Sequence, residues 1–218
     1  KIWTTHAHFA NRMFCLVRTS SDGKPQAGIS FLLIDMTTPG IQVDPIITLA
    51  GEHELNQVFF DDVRVPVANR LGAENDGWSV AKYLLTFERG GRYAPPLFQA
   101  LSRLSALCPD DPLLRARLHR EAITLEALQA LEMKAMRGIG ASPALYASVL
   151  KVSGTEAAQR IDVLACEIAG VAGWCVPDGQ SNDALATAVP RYLNGRAASI
   201  YAGSNEIQRG LIARQFIG

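Results

Sequence analysis

The stretch Val58–Arg89, VFFDDVRVPVANRLGAENDGWSVAKYLLTFER, contains the point at which one hydrophobic pattern replaces another. Its first part is a short apolar run that ends in polar and proline-containing turns, which is typical of a β-strand. After LGAENDG, apolar residues recur at helical spacing, as at Val80, Leu84 and Leu85. The sequence therefore predicts that strands and helices occupy separate parts of this chain.

Strand patterns dominate the residues before this point. Four runs, RMFCLVRT, GISFLLIDM, GIQVDPIITL and NQVFFDDVRVP, are separated by turn residues such as Asp22-Gly23 and Pro39-Gly40. The opening residues, KIWTT, also have the pattern of a strand that starts without a lead-in. This spacing predicts an antiparallel meander or part of a small barrel over residues 1–72.

Helical patterns fill the remainder of the chain. Pro95-Pro96 forces a kink or a new helix start, because proline lacks the backbone N–H that a helix interior needs. Longer helices are predicted over about 110–137, 142–170, 184–199 (interrupted by Pro190) and 205–216. The predicted fold class is α+β with segregated parts: a partial antiparallel β-barrel or sheet (residues 1–72) followed by an antiparallel helical bundle (residues 73–218).

The overall composition excludes some classes of partner. Lys plus Arg and Asp plus Glu both total 21, so the formal net charge is zero and no positive excess favours nucleic acid. No apolar run is long enough to cross a bilayer. Neither cysteines nor histidines have metal-ligand spacing, so we expect reduced thiols, no metal site and a cytoplasmic, bacterial location. These residues are Cys15, Cys108, Cys166 and Cys175, and His6, His8, His53 and His119.

A second informative stretch, SIYAGSNEIQRGLI (Ser199–Ile212), has the pattern of a loop that leads into a helix. Tyr201, Gly203, Ser204 and Glu206 lie at its entrance. The first turn of a helix offers free N–H groups and the positive end of the helix dipole, which favour phosphates and oxyanions. This stretch is therefore a candidate anion-binding corner.

Four segments, KIWTTHAHFANRMFCLVRT, GISFLLIDMTTPGIQV, VFFDDVRVPVANRLGAENDGW and IYAGSNEIQRGLIAR, together resemble the flavin-dependent acyl-CoA dehydrogenase family, in the family's order. FERGG and SVLKVSGTEAAQ resemble its bacterial large-subunit type, such as the pimeloyl-CoA dehydrogenase large subunit. The resemblance implies FAD, an acyl-CoA substrate, electron-transfer flavoprotein as acceptor, and a homo- or hetero-oligomer formed through the helical domain.

The resemblance also implies that this chain is shorter than a complete member of the family. Family members carry an N-terminal helical domain and further strands before the position of Lys1. We therefore expect this chain to be a C-terminal fragment that binds FAD weakly and has little activity by itself.

The family's reaction removes an α-proton and a β-hydride from an acyl-CoA, which requires a positioned base and donors to the thioester oxygen. The resemblance implies that Glu88, beside an apolar stripe, is the base; the alternative is a surface glutamate on a helix edge. Arg89 is implied to lie near the thioester and CoA, or else is a surface arginine. Ala202 stands where some relatives keep the base, and its N–H is implied to bind the thioester oxygen. Tyr201 is assigned to the substrate.

Cofactor contacts are also implied by the resemblance. Trp3 and Thr5 match positions beside the flavin, and residues two apart on a strand share one face. Gly203, Ser204 and Glu206 match the loop that lines the flavin and its phosphate tail, although a plain helix cap explains Ser204 equally well. Gly170 matches a glycine-rich helix end that touches FAD from a neighbouring subunit.

The sequence departs from the family at two points. In EIAGVAGW (Glu167–Trp174), Glu167 replaces a glutamine and Val171 a glycine, and an acid there would repel a pyrophosphate. An Arg–Phe–Gly type motif expected near the start of the 110–137 helix is missing. These departures favour an alternative, a catalytically silent subunit of a heteromeric enzyme. An acyl-CoA oxidase of the same fold is a further alternative.

Overall fold

The structure is a computed structural model that describes residues 1–88, 92–173 and 185–217; the side chains of residues 86–88, 172 and 173 also lie outside the described part. Contacts divide the chain into two units, Lys1–Glu88 and Arg89–Gly218. The predicted boundary between residues 72 and 73 stays a prediction. Within the described residues, we find no helix that is both long enough and apolar enough to span a membrane.

The first unit contains two antiparallel sheets of three strands each, in the orders β1-β5-β4 and β2-β3-β6. The strands are β1 (Thr4–Thr5), β2 (Arg12–Arg18), β3 (Ile29–Asp35), β4 (Ile41–Ile46), β5 (Leu55–Phe60) and β6 (Arg70–Leu71). Strands β2 to β5 coincide with the four predicted runs, which confirms them. They form two hairpins, β2–β3 and β4–β5.

The helix α1 (Gly77–Glu88) packs against β3 within this unit. A Cβ atom at Gly77 would lie 2.5 Å from the backbone nitrogen of Phe31, so a larger residue could not fit. The absent side chain thus allows the first turn of α1 to approach the strand closely. The predicted change from strand to helix is confirmed.

The second unit is a helical bundle. Its helices are α2 (Ala94–Leu107), α3 (Pro112–Met136), α4 (Pro143–Gly173), α5 (Ala188–Gly195) and α6 (Asn205–Ile217). Helices α2 to α5 supply one apolar core that includes Leu125 and Ile161, both almost fully buried, and α6 packs on α4. Together the two units confirm the predicted α+β class with segregated parts.

Helix ends follow the chemistry of their first residues. The side chain of Asp111 accepts hydrogen bonds from the N–H groups of Leu113 and Leu114, as expected for an N-cap. The new helix start predicted at Pro95-Pro96 is confirmed by α2. Glu132 on α3 caps α2, because its buried carboxylate accepts the N–H of Ala94 at 3.0 Å.

The predicted helix over 184–199 is wrong in its bounds. Helix α5 begins at Ala188, so Pro190 lies in its first turn, where no helical partner for its nitrogen is needed. The segment Arg196–Ser199 is a separate 3₁₀ turn. A single proline thus marks a helix start here and not an interruption.

Candidate functional site

The backbone before α6 is left-handed at two successive residues. Ala202 has φ 54° and Gly203 has φ 87°. A residue with a Cβ rarely adopts such a value, and strained positions of this kind concentrate at functional sites. A Cβ at Gly203 would also lie 2.6 Å from Nε2 of Gln208, which is buried. Glycine is therefore favoured at position 203 for both reasons.

Ser204 closes the N-terminus of α6. Its carbonyl accepts the N–H of Gln208 at 3.0 Å, and its Oγ accepts the N–H of Ile207 at 3.4 Å. The exposed carboxylate of Glu206 accepts its own backbone N–H and the hydroxyl of Ser204, which together hold the pKa of Glu206 below its ordinary value. The predicted cap is present, and an acid in the first turn suits the helix dipole.

A buried polar cluster joins the start of α6 to the middle of α4. The Lys151 ammonium donates to Oδ1 of Asn205 at 2.8 Å, and Nδ2 of Asn205 donates to Oγ1 of Thr155 at 3.2 Å. The same amide nitrogen lies 3.3 Å from Oε1 of Glu156, which also binds Arg209 at 2.6 Å. The loop that ends at Ser204 is therefore anchored to α4 through the residue that follows it.

The N-terminal residues depart from the strand that the sequence predicts. Trp3 has φ 62° and precedes β1, which contains only Thr4 and Thr5. Thr5 pairs with Leu55. The premise that Trp3 and Thr5 share one face of a strand is therefore wrong, because a left-handed residue interrupts the alternation of side chains. Trp3 is 63% exposed, and the flavin role of both residues stays a prediction.

The proposed base lies at the edge of the described region. Glu88 is the last residue of α1, and Leu84 and Leu85 on the same helix are half-buried. The side chain of Glu88 and the whole of Arg89 lie outside the described residues. Their predicted roles therefore stay predictions.

The glycine-rich end of α4 breaks the helix as expected. Gly170 has φ 57° and ψ −149°, and a Cβ there would meet nothing within 4 Å. One turn earlier, Glu167 binds Arg117 on α3 through two hydrogen bonds, one of them 3.1 Å long between Nη2 and Oε1. The acid that the sequence placed beside a pyrophosphate is thus paired with a cation.

A family model for the acyl-CoA dehydrogenase C-terminal domain matches residues 75–217. The chain belongs to the acyl-CoA dehydrogenase family. IpdE1, an acyl-CoA dehydrogenase of Mycobacterium tuberculosis, is 36% identical over all of this chain and 58% of its own length. The chain therefore spans a little over half the length of this relative. Members of this family depend on FAD.

Solved structures agree with the family assignment. The Tcur3481-Tcur3483 steroid ACAD G363A variant has a TM-score of 0.86 at 25% identity, over all of this chain and 60% of the other. The ChsE4-ChsE5 complex from Mycobacterium tuberculosis has a TM-score of 0.83 at 29% identity, over 97% of this chain and 58% of the other. The predicted acyl-CoA dehydrogenase resemblance is confirmed, whereas the pimeloyl-CoA type stays a prediction.

Two contacts in this acyl-CoA dehydrogenase family member, Lys151 with Asn205 and Arg117 with Glu167, could not be predicted from the sequence. Lys151 and Asn205 are 54 positions apart, and Arg117 and Glu167 are 50 apart, so no local pattern links them. The sequence contains one indication of the first contact, because Lys151 interrupts an otherwise apolar helix segment, VLKV. A lysine is rarely buried unless it is paired, so this position predicts a polar partner.

Proposed function

We propose that this chain supplies the C-terminal part of an FAD-dependent acyl-CoA dehydrogenase that converts an acyl-CoA thioester to trans-2-enoyl-CoA. The observation that carries the proposal is the left-handed turn of Ala202 and Gly203 at the start of α6. Backbone N–H groups at a helix N-terminus favour negative charge, and the reaction places negative charge on the thioester oxygen. Family membership supports the same reaction class.

In this proposal the proton and the charge are handled by different residues. Glu88 removes the α-proton, and the N–H of Ala202 donates to the thioester oxygen as its negative charge grows. Neither role needs a side chain at position 202, which explains how an alanine can serve there. Arg89 and Tyr201 contribute to binding of the CoA ester; Tyr201 is 62% exposed.

The residues present fit FAD. Gly170 has open space where a side chain would begin, and Ser204 adds a hydroxyl at a helix N-terminus. We assign Gly203, Ser204 and Glu206 to the loop that lines the flavin and its phosphate tail, and Trp3 and Thr5 to the flavin itself. Gly170 is assigned to the FAD of a neighbouring subunit. When bound, FAD supplies the acceptor for the hydride that leaves the β-carbon. The pairing of Glu167 with Arg117 reduces the repulsion that an acid would exert on a pyrophosphate.

A second candidate function is a catalytically silent subunit of a heteromeric enzyme. Two of the similar structures, Tcur3481-Tcur3483 and ChsE4-ChsE5, are heteromeric complexes, which supports a hetero-oligomer. Glu167, where the family has glutamine, supports a silent subunit as well.

We propose electron-transfer flavoprotein as the electron acceptor of the enzyme and the cytoplasm as its location. An acyl-CoA oxidase, which passes its electrons to oxygen, is the alternative to a dehydrogenase.

The test is the visible spectrum of the full-length protein, co-expressed with the product of its neighbouring gene. Under anaerobic conditions, an acyl-CoA ester should bleach the FAD absorbance, whereas a silent subunit would leave it unchanged. Rapid reoxidation by oxygen would indicate an oxidase, and slow reoxidation by oxygen with fast transfer to electron-transfer flavoprotein a dehydrogenase. We expect the 218-residue chain alone to retain little FAD, and stoichiometric FAD with turnover would refute that expectation.

A further inference from the structure

Lys151 is a buried cation without a carboxylate partner in the described residues. It is 7% exposed, it lies in the middle of α4, and none of the salt bridges found there includes it. Its ammonium donates to the neutral amide oxygen of Asn205 at 2.8 Å. Burial lowers the pKa of Lys151, while the charge of Glu206 acts in the opposite direction.

This arrangement is unfavourable for stability taken by itself. A buried ammonium loses its hydration, and a neutral amide compensates only part of that loss. Asn205 is the first residue of α6, so the cation also lies beside the positive end of the helix dipole. An apolar side chain would fill the same space without either cost. Stability therefore does not explain why a lysine occupies position 151, and we infer a functional role.

The neighbours of Lys151 indicate that reason. Asn205 is 3% exposed and is held by both Lys151 and Thr155, so the start of α6 is fixed to α4. The left-handed pair Ala202–Gly203 lies just before it in the chain. Glu156 forms an ion pair with Arg209 at 2.6 Å, and the carboxylate of Glu206, which acts on Lys151, is exposed. Neither is a buried counter-charge for Lys151 within this cluster.

We propose that Lys151 is a positioning residue for the thioester oxygen: it fixes Asn205, and with it the Ala202–Gly203 backbone, and its buried charge favours negative charge held by that loop. The inference rests on the proposed function and deepens it, since it assigns a role to a residue outside the loop. A buried charge acts in a medium of low polarisability, where it is screened less than at the surface.

The test compares three variants of the full-length holoenzyme with its partner subunit. Lys151→Met removes the charge, Lys151→Arg keeps it, and Asn205→Asp gives Lys151 a carboxylate that neutralises it. The measurements are the anaerobic rate of flavin reduction by octanoyl-CoA, palmitoyl-CoA or cyclohexane-1-carbonyl-CoA, the Kd of the corresponding CoA thioether, and the Tm. The thioether has no carbonyl oxygen, so its Kd measures binding of the CoA ligand without a hydrogen bond from the loop to a thioester oxygen.

We expect Lys151→Met and Asn205→Asp to reduce the flavin about 10- to 100-fold more slowly, less than the loss of a whole oxyanion donor. The Kd of the thioether should stay within about threefold, and Lys151→Arg should recover most of the rate. Asn205→Asp removes the net charge of Lys151 without an apolar replacement, and its Tm reports the balance between the new ion pair with Lys151 and repulsion from Glu156. Flavin reduction at the wild-type rate in Lys151→Met or in Asn205→Asp would overturn the inference. It would also be overturned if Lys151→Met and Lys151→Arg reduced the flavin equally slowly and both had a lower Tm, because the effect would then be one of folding. Failure of the wild-type holoenzyme to be bleached would instead refute the proposed function.

Discussion

The guanidinium of Arg117 binds the carboxylate of Glu167 through two hydrogen bonds, which join the first part of α3 to the end of α4. Both side chains are partly exposed, so the pair contributes little to stability. The pair lies one turn before the break at Gly170, where we propose that a cofactor phosphate binds. Arg117 therefore neutralises the acid nearest to that phosphate.

Removal of Arg117 should therefore weaken FAD binding more than removal of its partner. We expect Arg117→Met to lower FAD affinity roughly fivefold, equivalent to about 1 kcal/mol, because Glu167 then faces the pyrophosphate unpaired. Glu167→Gln should retain FAD like the wild type, and the double variant should recover the affinity. Fluorescence titration of the full-length apoprotein, together with its partner subunit, with FAD measures this. Arg115→Met, on the same helix, is the matched control, and an unchanged affinity in Arg117→Met would contradict the prediction.

Glu88→Gln should abolish reduction of the flavin by substrate. A positioned general base contributes about 100- to 10,000-fold to a rate, and glutamine cannot accept the α-proton. The measurement is anaerobic bleaching of the full-length protein with its partner. Glu126→Gln, at an exposed position on α3, should bleach at the wild-type rate. Near-wild-type bleaching in Glu88→Gln would remove it as the base.

Gly203→Ala should destabilise the second unit by about 1–2 kcal/mol, because the position is left-handed and the new Cβ would meet Gln208. Gly210→Ala is the matched control, since Gly210 lies inside α6 with open space around its Cα. Alanine is the better helix former, so this control should raise stability by about 0.5–1 kcal/mol. Urea unfolding measures both. Equal effects at the two glycines would contradict the geometry of the loop.

Asp162 should make the stability of the protein depend on pH. Burial is the main cause that raises the pKa of Asp162 from its ordinary value of 3.8 to about 6, against the opposing charges of Arg191 and Arg196. The folded state therefore binds the proton more tightly than the unfolded state. Its contribution to the free energy of unfolding is largest at low pH and decreases as pH rises from about 4 through about 6.

We expect the free energy of unfolding of the wild type, relative to Asp162→Asn, to fall by about 2 kcal/mol between pH 4 and pH 7. Urea unfolding at several pH values measures this difference. Asp110→Asn, at a fully exposed side chain, should follow the wild type over the same range. A constant difference between wild type and Asp162→Asn would show that the carboxylate titrates alike in the folded and unfolded states.

The sequence by itself determined the features that depend on residues close together in the chain. The strands β2 to β5 follow runs of apolar residues bounded by turns, and α3 begins where Asp111 and Pro112 predict a helix start. Gly170 marks the predicted end of a regular helix, because glycine adopts its left-handed backbone angles without strain. Local propensity and hydrophobic spacing are sufficient for all of these.

Only the tertiary structure decided the contacts between distant residues. It placed Lys151 against Asn205 and Arg117 against Glu167, and it put the left-handed Trp3 outside the strand that its neighbours suggested. The physical reason is that a charge or an amide takes its partner from whichever element packs beside it. Packing is set by the whole core, so spacing along the chain carries no record of these pairs.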